Sequence, residues 1–178
     1  MSFTLTPRKI VGVAVVMVIL FSCFALAVTV NGGSFDFSDR EVRIIVTDSM
    51  DGEPTDYPIS TIEKGALVVV RHISDDEKPN LKVGDVVQFR FNGILNHHRV
   101  VNNDVERGIL NTKGDNTPDG EVVNYSEVTG IVAGKSLLLG EIVGFVQQYK
   151  FMLLFAVVFA ITAIELIKEM RKGRSNEA

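Results

Sequence analysis

The residues able to do chemistry in this chain gather in three short segments. ILNHHRVV, residues 94–101, carries His97 and His98; TDSMDGEPT, residues 47–55, carries Ser49; TKGDNTPDG, residues 112–120, carries Asp115 and Asp119. Asn92-Gly93 joins DVVQFRF (85–91) to the histidine segment, and this pair is preferred in a two-residue type I′ hairpin because both positions take positive φ. Such a loop predicts Phe91 opposite Ile94, Phe89 opposite Asn96 and Val87 opposite His98. Successive side chains point to opposite faces, so His98 shares an apolar face with Val87, Phe89, Phe91 and Ile94, and His97 shares the other with Gln88, Arg90 and Arg99. An imidazole on an apolar face tends to stay neutral at pH 7, the state a general base requires. The same placement also suits a core histidine hydrogen-bonded to backbone.

Ser49 follows a predicted strand, where a rigid element presents a hydroxyl at a defined angle; a turn or N-cap serine is the alternative. Asp115 and Asp119 lie in a tight turn rich in Gly, Asn and Pro, which also suits an aspartate that accepts backbone N–H bonds for shape alone. A serine hydroxyl becomes a useful nucleophile at pH 7 only when a base takes its proton as it attacks, which makes a Ser49 and His98 pair chemically sensible. A metal centre built from His72, His97, His98 and a carboxylate is disfavoured, because the adjacent histidines face opposite ways and no His-x-x-x-His spacing exists. No metal and no other cofactor is expected.

These segments need elements to hold them. The chain has 178 residues, 46% hydrophobic and 22% charged, enough for one packed domain with attachments. Its net charge of −4 lacks the positive field that a nucleic-acid partner needs. One cysteine, Cys23, excludes an internal disulfide. The mean hydropathy of +0.22 is concentrated at the ends. Residues 10–30 form a run of 21 without a charge, long enough at about 1.5 Å per residue to span a bilayer core of about 30 Å. Ala25-Leu26-Ala27 has the form of a leader cleavage site, but the run exceeds the usual length of a leader's apolar region, which favours a retained anchor. A second apolar run, 151–167, precedes a basic tail at 168–178, and Arg8 and Lys9 precede the first. The positive-inside rule puts both termini (1–9 and 168–178) in the cytoplasm and residues 31–150 outside. That central stretch carries 12 Lys and Arg against 19 Asp and Glu. Its β-branched runs at 41–47, 66–73, 85–91 and 94–101, with others near 107–112, 128–134 and 142–146, are punctuated by turn residues. The expected fold class is mainly β: an antiparallel β domain flanked by an N-terminal and a C-terminal transmembrane helix.

Taken in order, Ser49-Met50 with Pro54-Thr55, then KVGDVVQF (82–89), then His98-Arg99-Val100-Val101, then Lys113-Gly114-Asp115-Asn116 resemble the type I signal peptidases over roughly residues 41–145. A histidine stands where the bacterial branch has lysine, so the resemblance is to the Ser/His branch of archaea and the endoplasmic reticulum. It implies a serine endopeptidase with Ser49 as nucleophile, His98 as general base, and Asp115 or Asp119 orienting the imidazole. It also implies an oxyanion hole made by the Ser49 backbone N–H and the Thr47 hydroxyl. Asp48 stands where glycine is usual, Gly52-Glu53 lengthens the spacing to Pro54, and Gly65-Ala66 replaces the usual Gly-Asp. The family's second aspartate lies a little beyond the Gly-Asp-Asn turn, so Asp119 is the nearest match and Glu121 the next carboxylate.

The implied substrates are signal-peptide-bearing preproteins, cleaved after small residues while extended along a sheet edge, for which 41–47 is the candidate strand. The other implied partners are the lipid bilayer and the secretion translocon or accessory subunits. The implied location is the cell membrane, or the endoplasmic reticulum membrane in a eukaryote, crossed more than once with the catalytic domain outside. About ten residues, 31–40, separate the first apolar run from the strand before Ser49, which would keep that serine close to the outer membrane surface. The competing expectation is a catalytically inactive membrane-anchored adaptor that uses the β domain to bind partner proteins.

Overall fold

The computed structural model describes residues 34–176 and, before them, Gly12, Val16 and Ile19, which are helical. The expected segments 1–9 and 10–30 otherwise lie outside the described residues. Two compact units divide the chain, and the one spanning 28–144 contains every strand and every candidate site residue.

Eight strands form one antiparallel sheet: β1 (Ser34–Phe37), β2 (Arg40–Ile44), β3 (Leu67–His72), β4 (Val86–Phe91), β5 (Ile94–Asp104), β6 (Ile109–Lys113), β7 (Gly120–Asn124) and β8 (Val128–Ser136). Their order across the sheet is β1-β2-β3-β8-β4-β5-β6-β7, so the last strand inserts between β3 and β4 and joins the two halves. The β4–β5 hairpin has the expected register, with Phe91 opposite Ile94, Phe89 opposite Asn96 and Val87 opposite His98. Asn92 (φ 52°) and Gly93 (φ 80°) take the positive φ values that this two-residue loop demands.

Both faces of the sheet are covered. Val86 joins a cluster with Ile45, Met50, Ile62, Val68 and Val132. Its neighbour Val87 joins a second with Phe89, Val100, Leu110, Val123 and Val128. One residue's step along a strand reverses the side-chain direction, so β4 feeds two cores at once. Residues 45–66, between β2 and β3, close over the first core through Met50 and Ile62.

Two expectations are corrected. The run 142–146 is helical, part of α1 (Leu137–Asn176), and its buried Val143 and Val146 stand at helical spacing. Short apolar runs suit strand and helix alike. The strand near 41–47 is not a sheet edge along Arg40–Arg43, because β1 pairs with it there. The second apolar run, 151–167, lies within α1. Among the described residues no single helix is long and apolar enough to cross a membrane, whereas Leu137–Leu153 and Phe155–Ile164, bent by 50° at the break between them, meet that test together.

Candidate active site

His98 lies on β5 opposite Val87, with its ring edge-on to Phe89 at 5.8 Å between centroids. It is 9% exposed. Its Nδ1 pairs with Glu121 Oε1, which reaches it from β7 across β6. The same carboxylate oxygen accepts a bond from Thr112 Oγ1 at 2.8 Å, and Thr112 is Glu121's registered partner on β6. A carboxylate on Nδ1 selects the tautomer that carries its proton there, which leaves the Nε2 lone pair as the basic site.

Glu121 therefore occupies the place expected for Asp115 or Asp119. Asp115 faces Arg99 instead, accepting from Nε at 2.8 Å and from Nη2 at 2.6 Å. Arg99 follows His98 on β5 and so projects to the opposite face, where its buried guanidinium also donates to the carbonyls of Ile59, Gly84 and Ser60. A buried positive charge requires a counter-charge, and Asp115 supplies it. Asp119 is exposed, and its backbone carbonyl accepts a bond from Thr117 Oγ1 at 3.1 Å. Alternation along GEVVN, starting at the Pro118-Asp119-Gly120 turn, is the signal that would have singled out Glu121, but no strand was expected at 120–124.

Ser49 sits in the segment that follows β2. Met50, its neighbour, is anchored in the first core, and the Met50 carbonyl accepts bonds from Thr61 Oγ1 at 2.6 Å and Ile62 N at 2.8 Å. The turn after β6 grips the segment from the other side: Asn116 N donates to the Ser49 carbonyl at 2.9 Å, and Asn116 Nδ2 to that of Asp48 at 3.2 Å. Glycines permit this contact. A Cβ on Gly114 would lie 2.6 Å from the Ser49 carbonyl oxygen, and one on Gly52 would lie 2.7 Å from that of Asp115.

Thr47 Oγ1 and Ser49 Oγ are 3.3 Å apart. Among the described residues this is the hydrogen-bond partner of Ser49 Oγ, so the structure brings Thr47 to Ser49 and Glu121 to His98 without a direct Ser49–His98 bond. The two pairs are linked through the turn after β6, which holds Ser49 by Asn116 and Arg99, the neighbour of His98, by Asp115.

A cleft opens beside Ser49, lined by Arg43, Val46, Thr47 and Ser49 on one side and by Ile94 and His97 on the other. Among the described residues, β5 is paired with β6 only from Arg99 on, which leaves the 94–98 edge of the second wall open. His97 is buried against Gln88, with Nε2 3.3 Å from Gln88 Nε2, and that amide also donates to Glu41 Oε2 at 3.1 Å. Burial, aided by the nearby Arg43 charge, pushes the His97 pKa down to about 4, so its ring is neutral at pH 7 and accepts from the amide.

No family model matches the chain, and no match is found among curated proteins or solved structures.

Proposed function

We propose that the chain is a membrane-bound serine endopeptidase that removes N-terminal signal peptides from exported preproteins at the outer face of the membrane. The observation that carries this reading is the pairing of Glu121 with His98 on β5, the strand whose preceding residues up to His97 line a cleft together with Ser49 and Thr47. An extended peptide fits in the cleft along the open edge at 94–98, with main-chain bonds giving affinity and small side chains entering beside Val46 and Ile94. The chemistry requires the Ser49 hydroxyl to leave Thr47 and meet His98 Nε2, although His97 and not His98 lines the cleft beside Ser49, so substrate binding must bring the two segments together.

Ser49 Oγ then attacks the scissile carbonyl carbon as its proton passes to Nε2, and Glu121 stabilises the imidazolium that forms. The oxyanion is received by the Ser49 N–H, which has no backbone acceptor among the described residues, and by the hydroxyl that Thr47 frees. Collapse breaks the C–N bond, and the proton on Nε2 goes to the leaving amine. Water, deprotonated by the same nitrogen, hydrolyses the acyl-serine and restores Ser49 and His98. The apolar runs at the chain ends are the parts suited to bilayer attachment, in a cell membrane or that of the endoplasmic reticulum. The partners are the preprotein, the lipid bilayer and the secretion translocon or accessory subunits.

The missing Ser49–His98 bond favours a second reading, an inactive adaptor that uses the cleft only to bind partner proteins. Purified full-length protein in detergent, incubated with a signal-peptide-bearing preprotein, separates the two. The peptidase reading expects cleavage by wild type and none by Ser49→Ala of unchanged fold; binding without cleavage by both supports the adaptor.

A further inference from the structure

We propose that Asp36, Glu41 and His72 form a site for a divalent transition-metal ion, zinc being the best match, that ties β1, β2 and β3 together. One ligand atom from each residue lies within 4.8 Å of the other two. The three come from consecutive strands and share a face: Asp36 is directly opposite Glu41, and His72 lies two residues beyond Val70, the partner of Glu41 on β3.

Two carboxylates directly opposite on adjacent antiparallel strands repel each other, so this pairing calls for a cation. Protein groups meet only part of that demand. Arg43 and Gln88 each donate to one oxygen of the buried Glu41 and leave a lone pair free on each oxygen. The Asp36 carboxylate and the His72 ring have no hydrogen-bond or ion-pair partner among the described residues. An ion between them would neutralise the second carboxylate and use the imidazole at the same time. One nitrogen and two carboxylate oxygens form a donor set typical of zinc, whereas magnesium and calcium select oxygen alone. Asp36 and His72 are exposed, which leaves an entry path and room for water to complete the coordination. The amide that holds Glu41 also touches His97, so an ion here would steady the polar layer beneath the cleft without entering the proposed chemistry.

Full-length protein in detergent, stripped with EDTA and titrated with zinc chloride, tests the site through thermal unfolding. Wild type is expected to gain about 3 °C or more at zinc well above its dissociation constant. Asp36→Asn and His72→Ala, both at exposed positions, are expected to gain nothing while unfolding cooperatively without zinc. No gain in wild type, an equal gain in either variant, or a gain with magnesium but not with zinc overturns the assignment. Cleavage plays no part in this readout, so the outcome is independent of the peptidase reading.

Discussion

Glu121 reaches across β6 to hold His98 by Nδ1, and the Thr112 hydroxyl holds Glu121 in turn. This three-strand relay makes the acid's contribution specific to one carboxylate. Glu121→Gln keeps the size but loses the charge that stabilises an imidazolium, so preprotein cleavage is expected to fall by roughly 10²–10⁴-fold in kcat. Asp119→Asn, at an exposed position, is expected to stay within about twofold of wild type. Equal losses would contradict the relay.

Asp115 is expected to act on stability first. Its side chain is 10% exposed and that of Arg99 5%, so Asp115→Ala strands a buried guanidinium. Breaking such a pair costs about 3 kcal/mol or more, read as a lower urea midpoint at an unchanged slope. An unaltered midpoint would show that the pair carries no net weight.

Gly114→Ala tests the contact between the turn after β6 and the segment carrying Ser49. The added methyl would fall 2.6 Å from the Ser49 carbonyl oxygen, so one segment must shift. A cost of about 1–3 kcal/mol is expected, together with a kcat loss on the order of 10²-fold if the hydroxyl moves by about 1 Å. Gly134→Ala, where a Cβ meets nothing within 4 Å, is the control.

His97 and His98 are expected to separate cleanly. His98→Ala should abolish cleavage and His97→Asn should largely preserve it; equal loss would refute the division of labour. His97 also predicts a pH dependence of stability. Its folded pKa of about 4 lies below the unfolded value of about 6.5, so the unfolded chain binds the proton more readily between those limits. Its contribution is complete above about pH 6.5 and is lost as the pH falls towards 4, by about 3 kcal/mol in all. Denaturant midpoints measured across that range should fall in wild type and fall less in His97→Asn.

How much of this was legible in the sequence depended on how local the determining interactions are. The hairpin register was readable because two residues, Asn92 and Gly93, decide it through their own backbone angles. The opposite facing of His97 and His98 followed from that register alone. The partner of His98 was not readable, since choosing among Asp115, Asp119 and Glu121 requires the pairing of β6 with β7 and the knowledge that Arg99 has already taken Asp115. The 142–146 run was misread because its apolar residues suit a strand as well as one face of a helix. The cover of β1 over β2 was missed because SFDF is short and stands beside the long apolar run at the N-terminal end.

Asn116 moors residues 48 and 49 to a turn that lies far along the polypeptide, and the backbone of Asp115 packs closely against Gly52. The placing of residue 49 thus depends on a distant loop, and the stretch after it answers to the same loop, since the Ile59 carbonyl and the Tyr57 ring both meet the Arg99 guanidinium that Asp115 holds.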